Sequence, residues 1–268
     1  MNRLLLALCV LSMAACSSLD SFVFDPKQED YHFSTAVIPA SNATVIELRV
    51  GSRKVYGVHA FHTPASSAKM LYFHGNYQSL NYYFNRIEMY WELGFDVFAI
   101  DYEGYGKSEG TPSEAAILDD AAAAFQVATG SLGWRASDIV IYGFSLGSVP
   151  AVDQSAWHAC RLLFLEAPIG DADSIADGGS PLDVPGGFVA VSSYDNIARI
   201  RSSQNRLIVI QGTADRKLPW EQSGKRVYDA ATVEKRCRWL PGVDHGDIPG
   251  QIGRETYKSL LMELMAGW

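Results

Sequence analysis

With 268 residues, 48% of them hydrophobic, the chain can enclose one large core in one or two domains and is too apolar to be disordered. A formal net charge of -8 and the lack of any basic stripe argue against a polyanionic partner, so nucleic acid is excluded as a ligand class.

The chain opens with Met1-Asn2-Arg3 and an apolar run, Leu4 to Ala15, that ends in small residues, which is the anatomy of an export signal over residues 1–15. The run stops well short of the roughly 20 apolar residues that a membrane-spanning helix needs. Leu11-Ser12-Met13-Ala14-Ala15-Cys16 is similar to a bacterial lipobox, with Met13 in place of the usual Leu, Val or Ile. Acyl chains on Cys16 would fix a soluble domain to a membrane surface without spanning it, and simple secretion is the alternative. Ser17 after the cysteine looks like an outer-membrane signal, so in a Gram-negative cell the expected location is the periplasmic face of the outer membrane. Residues 16–35, polar and carrying Asp25-Pro26 without sustained periodicity, read as anchor cysteine and tether. Residues 36–268 read as one α/β domain.

Thr44 to Val50 and Lys54 to His62 alternate apolar and polar side chains around Gly51-Ser52, which predicts an antiparallel hairpin. Met70–Phe73, Val97–Ile100, Ile139–Tyr142, Leu162–Leu165 and Leu207–Ile210 are nearly unbroken apolar runs, as expected of parallel strands covered on both faces. Between them lie helical patterns. Leu80, Phe84, Ile87 and Trp91 recur at helical spacing before Gly94, a C-cap position. Thr111-Pro112-Ser113-Glu114 predicts a capping box with Thr111 as N-cap, leading into a helix over Ala115 to Ala128. Tyr257, Leu260, Leu261 and Leu264 predict a closing amphipathic helix. Strand alternating with helix gives an α/β fold with a mostly parallel central sheet, helices on both faces, and ligands beyond the carboxyl ends of the strands. The link from Pro168 to Asn205 is longer than a strand-helix-strand connection requires. Tyr194 to Ile200 can supply its helix, which leaves the Gly/Pro-rich residues 169–193 as a short insertion, either a lid or a surface loop.

Chemistry concentrates at Ile139 to Gly147, where an apolar strand runs into Gly143-Phe144-Ser145-Leu146-Gly147 and a helix-compatible segment follows. That is a G-x-S-x-G nucleophile elbow in its required context, with glycines where a Cβ would clash. A serine hydroxyl is a poor nucleophile unless a base removes its proton, so Ser145 needs a histidine. Of the six histidines, His32, His59 and His62 lie on or before the hairpin, His158 lies at the far end of the helix that Ser145 begins, and His74 belongs to another motif. His245 follows the last predicted strand, Arg236 to Leu240, and can reach the carboxyl edge of the sheet. Asp215, in the turn after Ile210-Gln211-Gly212, is the candidate acid to orient it; Asp171 and Asp173 are rivals, while Asp244 and Asp247 lie too close to His245 in sequence. An oxyanion needs preorganised donors, and the backbone N–H groups of Leu146 and of Asn76, in Phe73-His74-Gly75-Asn76, are the candidates.

His-Gly-Asn, Gly-Phe-Ser-Leu-Gly, Asp215 and His245, in that order, resemble the α/β-hydrolase superfamily. Asp101-Tyr102-Glu103-Gly104-Tyr105-Gly106-Lys107-Ser108-Glu109-Gly110 resembles its strand-four loop, as found in small-lidded serine esterases, monoglyceride-lipase-like enzymes and serine aminopeptidase-like domains. Relatives commonly carry Arg where this chain has Glu103, which leaves the charge preference for substrate open. The resemblance implies a serine hydrolase acting on a small-molecule carboxylic ester or other acyl substrate through an acyl-enzyme, with neither metal nor organic cofactor. An amidase, peptidase or thioesterase on the same fold, and a catalytically silent envelope binding protein, are the alternatives. Tyr77, Tyr82, Tyr83, Trp220 and Phe188 are candidates to line an acyl pocket or to serve as packing. Cys160 and Cys237 fall near strands separated by one other, about 9 to 10 Å apart, which is too far for a disulfide, so both are expected as free thiols.

Overall fold

The computed structural model describes residues 20–177 and 194–268. The signal, Cys16, Phe188 and most of the lid candidate (178–193 of 169–193) lie outside the described residues. A helical turn, α1 (Asp20–Val23), and a two-residue strand, β1 (Asp25–Pro26), precede the hairpin of β2 (Ala43–Val50) and β3 (Arg53–Ala60). Then come β4 (Ala68–Phe73), β5 (Tyr77–Gln78), α2 (Leu80–Glu92), β6 (Phe95–Asp101), α3 (Glu114–Thr129), β7 (Ile139–Phe144), α4 (Ser148–Trp157) and β8 (Leu162–Glu166). The rest is α5 (Ala172–Asp177), α6 (Asn196–Arg199), β9 (Leu207–Gly212), α7 (Gly224–Ala230), β10 (Lys235–Leu240), α8 (Ile248–Ile252) and α9 (Arg254–Met265). No helix among the described residues is long and apolar enough to cross a membrane.

Among the described residues, eight strands form one sheet in the order β10-β9-β8-β7-β4-β6-β3-β2. Its neighbours run parallel except at β6-β3 and β3-β2, so the mostly parallel sheet with an antiparallel N-terminal hairpin is as the apolar runs predict. Successive side chains point to opposite faces. Leu71, Phe73, Phe98, Ile141 and Val209 meet α3, α4 and α7 through Ala121, Phe125, Val152 and Val227, while Met70, Tyr72, Val97, Val140 and Ile208 meet α2 and α9 through Phe84, Ile87, Tyr257 and Leu261. Each fully buried apolar side chain of this kind contributes about 1.5–3 kcal/mol. The winding reverses at β4, which lies between β6 and β7, and this opens a crevice at the carboxyl ends of β4 and β7. Cys160 and Cys237 are free thiols, and burial pushes Cys160 up to about 12.

Two local expectations differ from what is observed. Ser113, not Thr111, caps α3 by accepting the Ala116 N–H at 3.1 Å. Thr111 gives its own N–H to Glu103 Oε1 (2.9 Å), and the Glu114 carboxylate is taken by Arg199 (2.8 Å) and the Tyr194 N–H (3.1 Å), so no box closes. Residues 20–33, within the expected tether, form a strap packed on the domain. Val23 is buried with one face's core and Phe33 stacks on Phe84 of the other at 4.0 Å, so the strap crosses the carboxyl edge of the sheet. Its apolar anchors are irregularly spaced, which is why they show no periodicity.

Asp120 of α3 is buried beneath the loop after β6, where Oδ2 accepts the Glu103 N–H at 2.7 Å and Oδ1 has no partner. Burial pushes its carboxyl up to about 7 against the pull of that hydrogen bond. A folded-state value above the unfolded value of about 3.9 means that stability is full below that pH and is lost as pH rises through about 7. Thermal melts between pH 5 and 8 are therefore expected to fall more steeply for the wild type than for Asp120→Asn. Parallel curves would show that Asp120 does not titrate in this window.

Candidate active site

Beyond Phe144 the chain turns into α4 through a single 3-10 turn, Ser145–Gly147. Ser145 adopts a left-handed backbone (φ +51), a strained conformation for a residue with a side chain. The glycines permit it. A Cβ at Gly147 would overlap the Phe73 carbonyl, and one at Gly143 would overlap the Gly147 carbonyl. Ser148 fixes the elbow by donating to the Ser145 carbonyl (2.6 Å) and accepting the Ile169 N–H (3.0 Å).

Ser145, His245 and Asp215 come together in one hydrogen-bonded row. Ser145 Oγ lies 2.9 Å from His245 Nε2, and His245 Nδ1 lies 2.8 Å from Asp215 Oδ2. All three residues are buried. Asp215 already accepts from Gln211 Nε2 (2.9 Å) and from the N–H groups of Lys217 (3.0 Å) and Leu218 (2.9 Å). A carboxylate so surrounded by donors acts as acceptor toward His245 too, so Nδ1 carries the imidazole proton and Nε2 is left to accept from Ser145. The rival Asp171 pairs instead with Arg226 (3.1 Å) and caps Ser174 (2.9 Å). Asp244 braces the histidine loop, accepting the His245 N–H (2.8 Å) while held by Arg216 (2.5 Å).

Asn76 lines the same pocket as Ser145, and Leu146 follows Ser145 within the elbow. His74 is buried, with Nδ1 2.6 Å from the Gly75 carbonyl and Nε2 3.3 Å from Asp101 Oδ1, so it holds the loop after β4 in shape. The pocket encloses about 490 Å³. Tyr77, Tyr82 and Tyr83 line it, with the Tyr82 ring 4.9 Å from Tyr77 and 5.1 Å from Tyr83, and Tyr77 and Tyr82 are 42% and 54% exposed. Trp220 is not part of it and packs on Trp239 at 5.2 Å. Among the described residues no three His, Cys, Asp or Glu side chains gather to hold a metal ion.

Residues 64–174 match the family model described as serine aminopeptidase, S33, a span that includes Asn76 and Ser145 but neither Asp215 nor His245. In fold the chain is similar to the esterase Pf2001 of Pyrococcus furiosus, with a TM-score of 0.70 over 91% of this chain and 99% of that one at 20% identity. The chain has the α/β-hydrolase fold. Among curated relatives, it is 29% identical to the uncharacterized protein YfhR of Escherichia coli O157:H7 over 74% of this chain and 71% of that protein. It is 30% identical to the human alpha/beta hydrolase domain-containing protein 17C over 69% of this chain, and the match spans 55% of that relative.

Some site residues of this chain were not anticipated from its sequence. Gln211 orients Asp215; its signal is a lone amide within the apolar strand β9. Arg86, on α2, is buried in the pocket wall, bonded to Glu166 Oε1 (2.5 Å) and the Gly246 carbonyl (3.3 Å), with its guanidinium 4.3 Å from the centre of the Phe144 ring. It thus touches the neighbour of the serine and the neighbour of the histidine. A charge set between Phe84 and Ile87 is the feature that marks it. Lys217, Asn85 and Asp247 complete the polar lining. Glu103 pairs with Arg53 (3.0 Å) and is not among the residues that line the pocket. Gly147→Ala is expected to cost about 3 kcal/mol or more by overpacking the elbow, lowering the melting temperature by roughly 6–12 °C and activity with it. An unchanged melt and rate would show that the elbow can relax around a methyl group.

Proposed function

We propose that this hydrolase cleaves carboxylic esters through an acyl-enzyme on Ser145. The observation that carries the reading is the relay of two short contacts, 2.9 Å from Ser145 to His245 and 2.8 Å from His245 to Asp215. As Oγ attacks the carbonyl carbon, His245 Nε2 takes its proton and Asp215 stabilises the resulting imidazolium. The carbonyl oxygen becomes an oxyanion directed at the N–H groups of Asn76 and Leu146. Collapse of the tetrahedral adduct breaks the ester bond, and His245 returns the proton to the departing alcohol. The same imidazole then takes a proton from the water that attacks the acyl carbon and, as the bond from that carbon to Oγ breaks, hands the proton to Oγ, which releases the acid and restores Ser145.

A second reading keeps the site and changes the bond to an amide, favoured by the family description of residues 64–174. A panel of p-nitrophenyl esters, acyl thioesters and aminoacyl anilides separates the two, with esters expected to turn over fastest. A fluorophosphonate probe is expected to label the wild type and not Ser145→Ala, and His245→Ala should lower kcat/KM by about 10³-fold or more. A folded wild type that stays unlabelled, or a His245→Ala variant as fast as the parent, would overturn the mechanism.

Export and acylation at Cys16 complete the proposal, supported by the run Leu4 to Ala15 and the lipobox-like residues that follow. Expressed in a Gram-negative host fed an alkyne-tagged fatty acid, the wild type should take up the tag and sediment with membranes. Equal labelling of Cys16→Ser would remove that residue as the anchor.

A further inference from the structure

An oxyanion donor must be aimed within about 0.5 Å to be effective, and Asn76 sits in irregular backbone between β4 and the two-residue β5. Just beyond it Gln78 takes a left-handed φ of +57. Three hydrogen bonds grip residue 76. Its carbonyl accepts from the Asp25 N–H (3.2 Å) and the Tyr105 hydroxyl (2.8 Å), and its side-chain Nδ2 donates to the Val23 carbonyl (2.8 Å). None of them uses the Asn76 N–H. That N–H belongs to the Gly75-Asn76 peptide plane, whereas the gripped carbonyl belongs to the next plane and the amide hangs from the shared Cα. With both of those fixed, a single soft torsion is left to aim the N–H.

Two of the three bonds come from the strap, and the strap is itself laced to both loops at this edge of the sheet. Lys27 N–H donates to the Gln78 carbonyl (3.1 Å), and Ser79 Oγ donates to Glu29 Oε1 (2.6 Å). Gly106 N–H donates to the Lys27 carbonyl (2.9 Å), and Glu29 N–H returns a bond to the Gly106 carbonyl (3.0 Å). Val23 is buried in the core, and Phe24 meets the edge of Tyr105 at 6.4 Å. Burial pushes the Tyr105 phenol up, which keeps its hydroxyl a donor across the working pH range.

We propose that Val23 and Asp25 of the strap, together with Tyr105, are positioning residues that aim the Asn76 N–H at the oxyanion, which makes the N-terminal strap part of the catalytic apparatus. The inference rests on the acyl-enzyme reading of Ser145.

The test uses Asn76→Ala, which cuts the bond to the Val23 carbonyl and keeps the backbone N–H, and Tyr105→Phe, which removes one hydroxyl. Both are made in the full chain. Rates on a p-nitrophenyl ester are normalised to active sites titrated with a fluorophosphonate, so unfolded protein is not counted. Each variant is expected to lose about 5- to 30-fold in kcat with KM within about two-fold, since misplacement by 1 Å can cost 10²-fold. Affinity for a trifluoromethyl ketone, whose serine adduct carries an oxyanion, should fall by the same factor. Tyr105→Phe keeps the test decisive if Asn76→Ala does not fold. Normal kcat and inhibitor affinity in labelled, folded variants would overturn the positioning role and leave the Ser145 mechanism standing, as would a rise in KM alone. Failure of the wild type itself to label would overturn both.

Discussion

The close passage of the Ser145 elbow over the end of β4 is the constraint on which the site depends. Gly147 lies so near the carbonyls of Phe73 and His74 that no side chain fits between them. This contact sets Ser145, at the tip of β7, beside the loop that carries Asn76. It also forces Ser145 into a strained backbone that the surrounding core must hold. Relaxing the elbow would release the strain and withdraw the hydroxyl from His245 together, so packing density and reactivity are tied at one place.

A second tie runs through Arg86. Its charge is neutralised by Glu166 at the end of β8, whose carboxylate also accepts from Tyr142 and Tyr257. Helices α2 and α9 and strands β7 and β8 thereby meet at a buried polar cluster directly behind the pocket wall. A buried ion pair of this kind is weak evidence for stability, because desolvation offsets much of the attraction. Its geometric result is plainer: one guanidinium spans the distance between the Phe144 ring and the Gly246 carbonyl, and so sets the Ser145 and His245 loops relative to one helix.

The parts of the fold that were legible in the sequence are those where burial is two-sided. Met70–Phe73 and Ile139–Tyr142 read as strands because both faces are covered, and at the half-buried edge the expected strand Arg236 to Leu240 falls one residue short of β10. Ser145 stood out since its glycines answer to sterics that leave few other residues possible. The strap was illegible for the opposite reason: its backbone bonds to loops, not to a repeating lattice, so Val23, Phe24 and Phe33 have no common period. Ser113 takes the cap in place of Thr111 because α3 starts at Glu114, and Glu103, not Glu114, accepts the threonine's N–H. Arg86 and Gln211 depend on partners 80 and 4 residues away, Glu166 and Asp215, and only folding shows which polar side chain is the matched one.

The strap also limits slack. Only the span from Cys16 to Asp20 separates the proposed acylated residue from the first helical turn, a reach of at most roughly 14 Å when fully extended. With Cys16 acylated as proposed, an enzyme tethered this short of its lipid would not roam the compartment on a flexible stalk. It would work at the bilayer surface with one edge turned toward the headgroups, where acylated molecules embedded in the leaflet are met at a far higher local concentration than those dissolved in bulk water.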